Sequence, residues 1–200
     1  VNAANENNNM KILVLDNYDS FTYNLVQYVQ EILGKKVDVF RNDEIELEAV
    51  AAYDAVILSP GPGVPKDAGI MPALIQKYAP TKPIFGVCLG HQAIGEAFGG
   101  ELINLSEVFH GIETPIDIVA KDDPFYKGLP NEIEVGRYHS WSVKKETLPD
   151  CFVVTATDKE GAIMSFYHKE YNVRGVQYHP ESVMTEHGMA IIKNWLSAIK

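Results

Sequence analysis

The chain is short of cysteine, of positive charge and of long apolar runs. Its 200 residues include two cysteines, Cys88 and Cys151. Two thiols cannot make a disulfide framework, and no paired-cysteine spacing suited to zinc is present, so no metal site is expected. Lys and Arg number 17 against 27 Asp and Glu, a net charge of -10. That balance excludes the clustered basic surface by which nucleic acids and anionic membranes are bound. No apolar run approaches the ~18 residues needed to span a bilayer. The first nine residues are polar and rich in Asn, with no leader pattern. They are expected to form a tail, disordered or left from cloning, with the fold running over 10–200. A reducing, cytoplasmic location follows from the cysteine usage.

What is present is a regular alternation. Lys11 to Leu15 reads as an apolar strand. Asp19 or Ser20 can cap a helix with Phe21, Leu25, Val29 and Ile32 on one face, ended by Gly34. Val37 to Phe40, Ala55 to Leu58 and Ile84 to Val87 are further strands, separated by helical stretches at 46–52, 71–78 and 89–98. Short strands without polar alternation, joined by helices, predict an α/β fold with a parallel sheet covered on both faces. Beyond residue 113 the pattern changes to successive strands at 114–119, 132–138, 152–157, 162–167 and 173–178, which predicts an antiparallel extension. Ile192, Trp195, Leu196 and Ile199 close the chain as an amphipathic helix.

The chemistry concentrates at Gly86-Val87-Cys88-Leu89-Gly90. A nucleophile flanked by glycines at a strand-to-helix junction is the elbow pattern, in which a tight turn lifts the side chain out of the sheet. Cys88 is therefore the candidate nucleophile, whereas Cys151 reads as a small buried hydrophobe. A thiol nucleophile needs a base. Among six histidines, His179 follows a strand and has Glu181 two residues on, a carboxylate able to fix its tautomer. His91 sits on the elbow helix and is expected to point into packing. His110, His168 and His187 read as surface residues, and His139 as a substrate-binding candidate. The rigid loop Ser59-Pro60-Gly61-Pro62-Gly63 follows the third strand; its backbone N–H groups, with that of Leu89, suit an oxyanion hole. It is not a phosphate-binding loop, since no Gly-Lys-Ser/Thr follows.

Together, Cys88-Leu89-Gly90-His91-Gln92, Pro60-Gly61-Pro62-Gly63 and Gln177-Tyr178-His179-Pro180-Glu181-Ser182 resemble the class I (triad) glutamine amidotransferases. Asp16 to Leu25, Arg137-Tyr138-His139-Ser140 and Thr185-Glu186-His187-Gly188 resemble the glutaminase subunits of anthranilate synthase and aminodeoxychorismate synthase in particular. The resemblance runs from about Met10 to the C-terminus. It implies a flavodoxin-like three-layer α/β/α core and a Cys88, His179, Glu181 triad. It also implies glutamine contacts from Gly61, Pro62, Gly63, Leu89, Gln92, Ser140 and Trp141. It further implies a γ-glutamyl thioester, no cofactor on this chain, and a larger chorismate-binding synthase subunit that receives the ammonia. Two positions depart from the family: Trp141, where leucine is usual, and Ile112, where lysine more often follows the glycine. Three readings compete: another cysteine hydrolase such as a peptidase or γ-glutamyl hydrolase, a binding module with a dead site, and the glutaminase subunit of guanylate or carbamoyl phosphate synthesis.

Overall fold

The computed structural model describes residues 10–199; the expectation of a tail over residues 1–9 lies outside them. The chain runs β1 (Ile12–Asp16), α1 (Thr22–Leu33), β2 (Asp38–Arg41), β3 (Ala55–Leu58), α2 (Met71–Tyr78), β4 (Ile84–Val87) and α3 (Leu89–Ala97). It continues through β5 (Leu102–Asn104), β6 (Ile112–Ile118), β7 (Glu132–Arg137), β8 (Trp141–Val143), β9 (Phe152–Asp158), β10 (Ile163–His168), β11 (Val173–Val176) and α4 (Gly188–Ala198).

One nine-stranded sheet has the order β2-β1-β3-β4-β11-β10-β9-β6-β7. Its first five strands are parallel and the remaining neighbours antiparallel. The parallel half has the 2-1-3-4-5 order of flavodoxin-like sheets. Strands β1, β3 and β4 are buried on both faces, which is why they read as unbroken apolar runs. Their side chains alternate between two cores. Ile12, Val14, Ile57 and Phe85 pack with α1 and α4, through Leu25, Val29, Ile192 and Trp195. Leu13, Leu15, Val56 and Ile84 pack with α2 and α3, through Leu74, Ile75, Ala93 and Ile94. Two helices per face make three layers.

Four sequence expectations need correction. The antiparallel strands are no separate layer but continue the same sheet. Val173–Val176 belongs to the parallel half, in register beside β4. Neither Asp19 nor Ser20 caps α1: its N-cap is Phe21, and Asp19 Oδ1 instead accepts the Phe21 N–H at 2.7 Å. The stretch at 46–52 is a 3₁₀ segment, Leu47–Ala52.

Candidate active site

The carboxyl ends of β4 and β11 lie side by side because Val176 pairs with Val87. That register brings residue 88 near residues 177 to 179, across 89 positions of sequence. Cys88 is held at φ 52°, ψ -99°, a conformation rare for a residue with a Cβ, and its N–H bonds the Val176 carbonyl at 2.8 Å. The flanking glycines are required by contact. A Cβ on Gly86 would lie 2.5 Å from the Gly90 carbonyl carbon, and one on Gly90 2.7 Å from the Leu58 oxygen. Strand, turn and helix are pressed together there, and the sulfur is turned toward the loops above the sheet.

His179 is buried against the aromatic rings of Phe21 and Tyr138. Its N–H donates to the Gly136 carbonyl, and its own carbonyl accepts from the Thr185 hydroxyl. Nδ1 lies 2.7 Å from Glu181 Oε1. The carboxylate can only accept, so Nδ1 carries a proton and Nε2 is turned elsewhere. Burial opposes a charged imidazole, but the charges of Glu181 and Cys88 outweigh it and raise its pKa well above 6.5. Nε2 is buried and makes no hydrogen bond within the described residues, so it interacts with the Cys88 sulfur electrostatically across a gap without a formed bond.

A cavity of about 90 Å³ opens at Cys88, lined by Gly61, Gly63, Gln92, Tyr138, His139, Ser140 and Trp141. It is far below the 300–1,000 Å³ common for drug-sized ligands, so it suits a small side chain. Five of the seven expected contact residues, Gly61, Gly63, Gln92, Ser140 and Trp141, line it. Pro62 and Leu89 instead line the adjoining cleft, with Asn17 and Tyr18. Wider depressions, around Lys121 and Arg174 and around Lys127 and Asn194, hold no nucleophile.

The other histidines are accounted for by packing. His91 is fully buried, stacked on Phe166, and burial lowers its pKa to about 3. Nδ1 of His91 lies beside the Gly175 backbone, but neither ring nitrogen meets hydrogen-bond geometry. His168, expected at the surface, is buried and stacked on Tyr171, its Nδ1 accepting the N–H groups of Glu170 and Tyr171. His110 is exposed and His187 partly so. Cys151, expected buried, is half-buried beside β9, with its thiol pKa raised by burial.

Three neighbours were not singled out from sequence. Tyr138 lines the cavity, and its carbonyl lies 4.0 Å from the Cys88 sulfur. Phe21 is set against His179 by the Asp16 carboxylate, which accepts from the Tyr18 N–H and the Thr22 hydroxyl and shapes the turn into α1. Gln177, fully buried, donates from Nε2 to the Cys88 sulfur at 3.7 Å. No helix among the described residues is long and apolar enough to cross a membrane, and no metal-binding cluster occurs among them.

Comparison with known proteins agrees with this geometry. The family model for glutamine amidotransferase class-I matches residues 13–199. Anthranilate synthase component 2 of Pseudomonas aeruginosa is 48% identical, over 92% of this chain and 94% of its own. Aminodeoxychorismate/anthranilate synthase component 2 of Bacillus subtilis is 46% identical, over 94% of this chain and 97% of its own. The solved structure of one GMP synthase polypeptide from Thermoplasma acidophilum superposes with a TM-score of 0.82 at 28% identity. It covers 94% of this chain and 92% of its own.

Proposed function

We propose that this chain, which belongs to the class-I glutamine amidotransferase family, is the glutaminase subunit of a chorismate-using synthase, anthranilate synthase above all. The observation that carries this reading is the buried line Glu181, His179, Cys88 ending at a small cavity. In the reaction, the Cys88 proton passes to His179 Nε2 and the thiolate attacks the side-chain amide carbon of L-glutamine. Backbone N–H groups of the Gly61-Pro62-Gly63 loop and of Leu89 hold the oxyanion. Gln92, Ser140 and Trp141 hold the rest of the substrate. As the C–N bond breaks, His179 returns the proton to the leaving nitrogen and ammonia departs, leaving a γ-glutamyl thioester on Cys88. Water then attacks, its proton passing through His179 to the sulfur as the C–S bond breaks, and glutamate is released. The charge of Glu181 keeps the imidazole protonated at the moment ammonia leaves.

Ammonia in neutral water is mostly ammonium, which is no nucleophile. A larger synthase subunit docked over the cavity would receive it directly. The names of the relatives support that partner: component 2 of anthranilate or of aminodeoxychorismate synthase. Free thiols suit the reducing cytoplasm.

The test is to combine the chain with an anthranilate synthase component 1, chorismate and L-glutamine, and to follow glutamate and anthranilate. Native protein is expected to make both and Cys88→Ala neither, with a glutamyl adduct on Cys88 seen by mass spectrometry. Glutamate release that survives Cys88→Ala would refute the mechanism. Aminodeoxychorismate formed only with the other synthase would move the chain to that pathway.

A further inference from the structure

Gln177 has no role in the mechanism above, yet it is fully buried and reaches the sulfur. The orientation of its amide follows from its neighbours. Arg137 can only donate, so its Nε–H at 3.0 Å makes His139 Nε2 an acceptor and places the His139 proton on Nδ1. That Nδ1–H donates to the Trp141 carbonyl at 2.9 Å. The same carbonyl takes the Gln92 Nε2 amide at 2.8 Å, which turns a second N–H of Gln92 toward Gln177 Oε1 at 3.3 Å. Gln177 therefore presents its own NH₂ to the thiol. A donor, not an acceptor, faces the atom that becomes negative, and the amide behind it is anchored to the wall of the substrate cavity.

We infer that Gln177 is a positioning residue for the nucleophile: its side-chain N–H holds the Cys88 sulfur on the cavity axis and steadies the charge it carries, through a link to Gln92. The donor precedes the charge, so little reorganisation accompanies proton transfer to His179. The link also means that substrate pressing on Gln92 and Trp141 tightens the amide against the sulfur. This inference rests on Cys88 being the nucleophile of the proposed glutaminase.

Gln177→Met keeps the volume without the donor, and Gln177→Glu keeps the shape but sets a carboxylate oxygen at the sulfur. Assayed with component 1, both are expected to lower kcat about tenfold or more with KM for glutamine within about twofold, Glu the more severely, since hydrogen bonds to charged groups are strong. Alkylation of Cys88 by iodoacetamide should slow in parallel. Gln92→Met should instead raise KM. In native protein, methylthiolation of Cys88 should shift the side-chain amide resonances of Gln177, a readout that needs no variant to fold. Full kcat in Gln177→Met, or Gln177 resonances unmoved by the modification, overturns the inference. A native protein that makes no glutamate overturns the glutaminase reading instead, while the alkylation and resonance readouts still judge Gln177.

Discussion

Nδ1 of His179 stands 2.7 Å from Oε1 of Glu181, with the two side chains 2% and 0% exposed. Burial weakens the imidazolium, and the carboxylate more than restores it. A group whose folded pKa is raised contributes stability that is complete below its unfolded pKa of about 6.5 and is lost as pH rises through the higher folded value. Glu181→Gln removes the raising charge while keeping the shape. The variant should lose stability relative to native most at pH 6, with the gap narrowing toward pH 9. Its kcat should fall on the order of 10²–10⁴-fold, the range for a disabled acid–base group. Thermal unfolding of both proteins at the two pH values, with glutaminase assays, checks both. A gap that widens with pH contradicts the assignment.

His91 titrates in the opposite sense. Its pKa is lowered to about 3 by burial, so the unfolded chain takes up a proton that the folded chain refuses between pH 6.5 and 3. The associated stability is present above pH 6.5 and drains as pH falls, by about 2 kcal/mol at pH 5. His139, also lowered to about 3 by burial and by Arg137, adds a second such loss. His91→Leu removes a polar ring with no hydrogen bond, which should leave stability at pH 7.5 unchanged or higher. It should also lose less than native between pH 7.5 and 5. Urea unfolding at both pH values measures the difference.

Arg137 is 3% exposed and ion-paired at 3.0 Å with Asp158, itself 8% exposed, while its guanidinium lies 3.6 Å from the centre of the Phe109 ring. Arg137→Met leaves a buried carboxylate unpaired and should cost about 3–5 kcal/mol. It also frees His139 and the Trp141 carbonyl, so KM for glutamine should rise. In the double variant Arg137→Met/Asp158→Asn the unpaired charge is gone and Asn can still accept the N–H groups of Glu160 and Ala162, as Asp158 Oδ1 does. Stability should then recover while KM stays high. Recovery of both would mean that Arg137 serves the fold alone.

The first hundred residues were largely legible because each strand there is buried on both faces and each helix on one, so period alone separates them. The ranges 55–58, 71–78 and 84–87 agree with the structure residue for residue. Period cannot report pairing. Val173–Val176 looked like the antiparallel strands before it, and only its bonding to β4 makes it parallel. The short strands Leu102–Asn104 and Trp141–Val143 pair only with each other and are too brief to alternate visibly. At the site, Cys88, His179 and Glu181 were readable because elbow glycines and a His-Pro-Glu turn are local signals. Gln177, Tyr138 and Phe21 carry no local signal: what they touch depends on how distant segments meet. His168 failed for the same reason, its burial coming from Phe98, Phe152 and Tyr171.

The strand that carries His179 toward Cys88 is the last to be added, yet it lies in the middle of the sheet, between β4 and β10. As the chain leaves the ribosome, everything up to residue 172 can emerge without a working site, because the slot beside β4 is still vacant. Activity therefore arrives in one late step, when the eleventh strand slides home. Half-made copies have no means of splitting glutamine and leaking ammonia before a synthase is at hand.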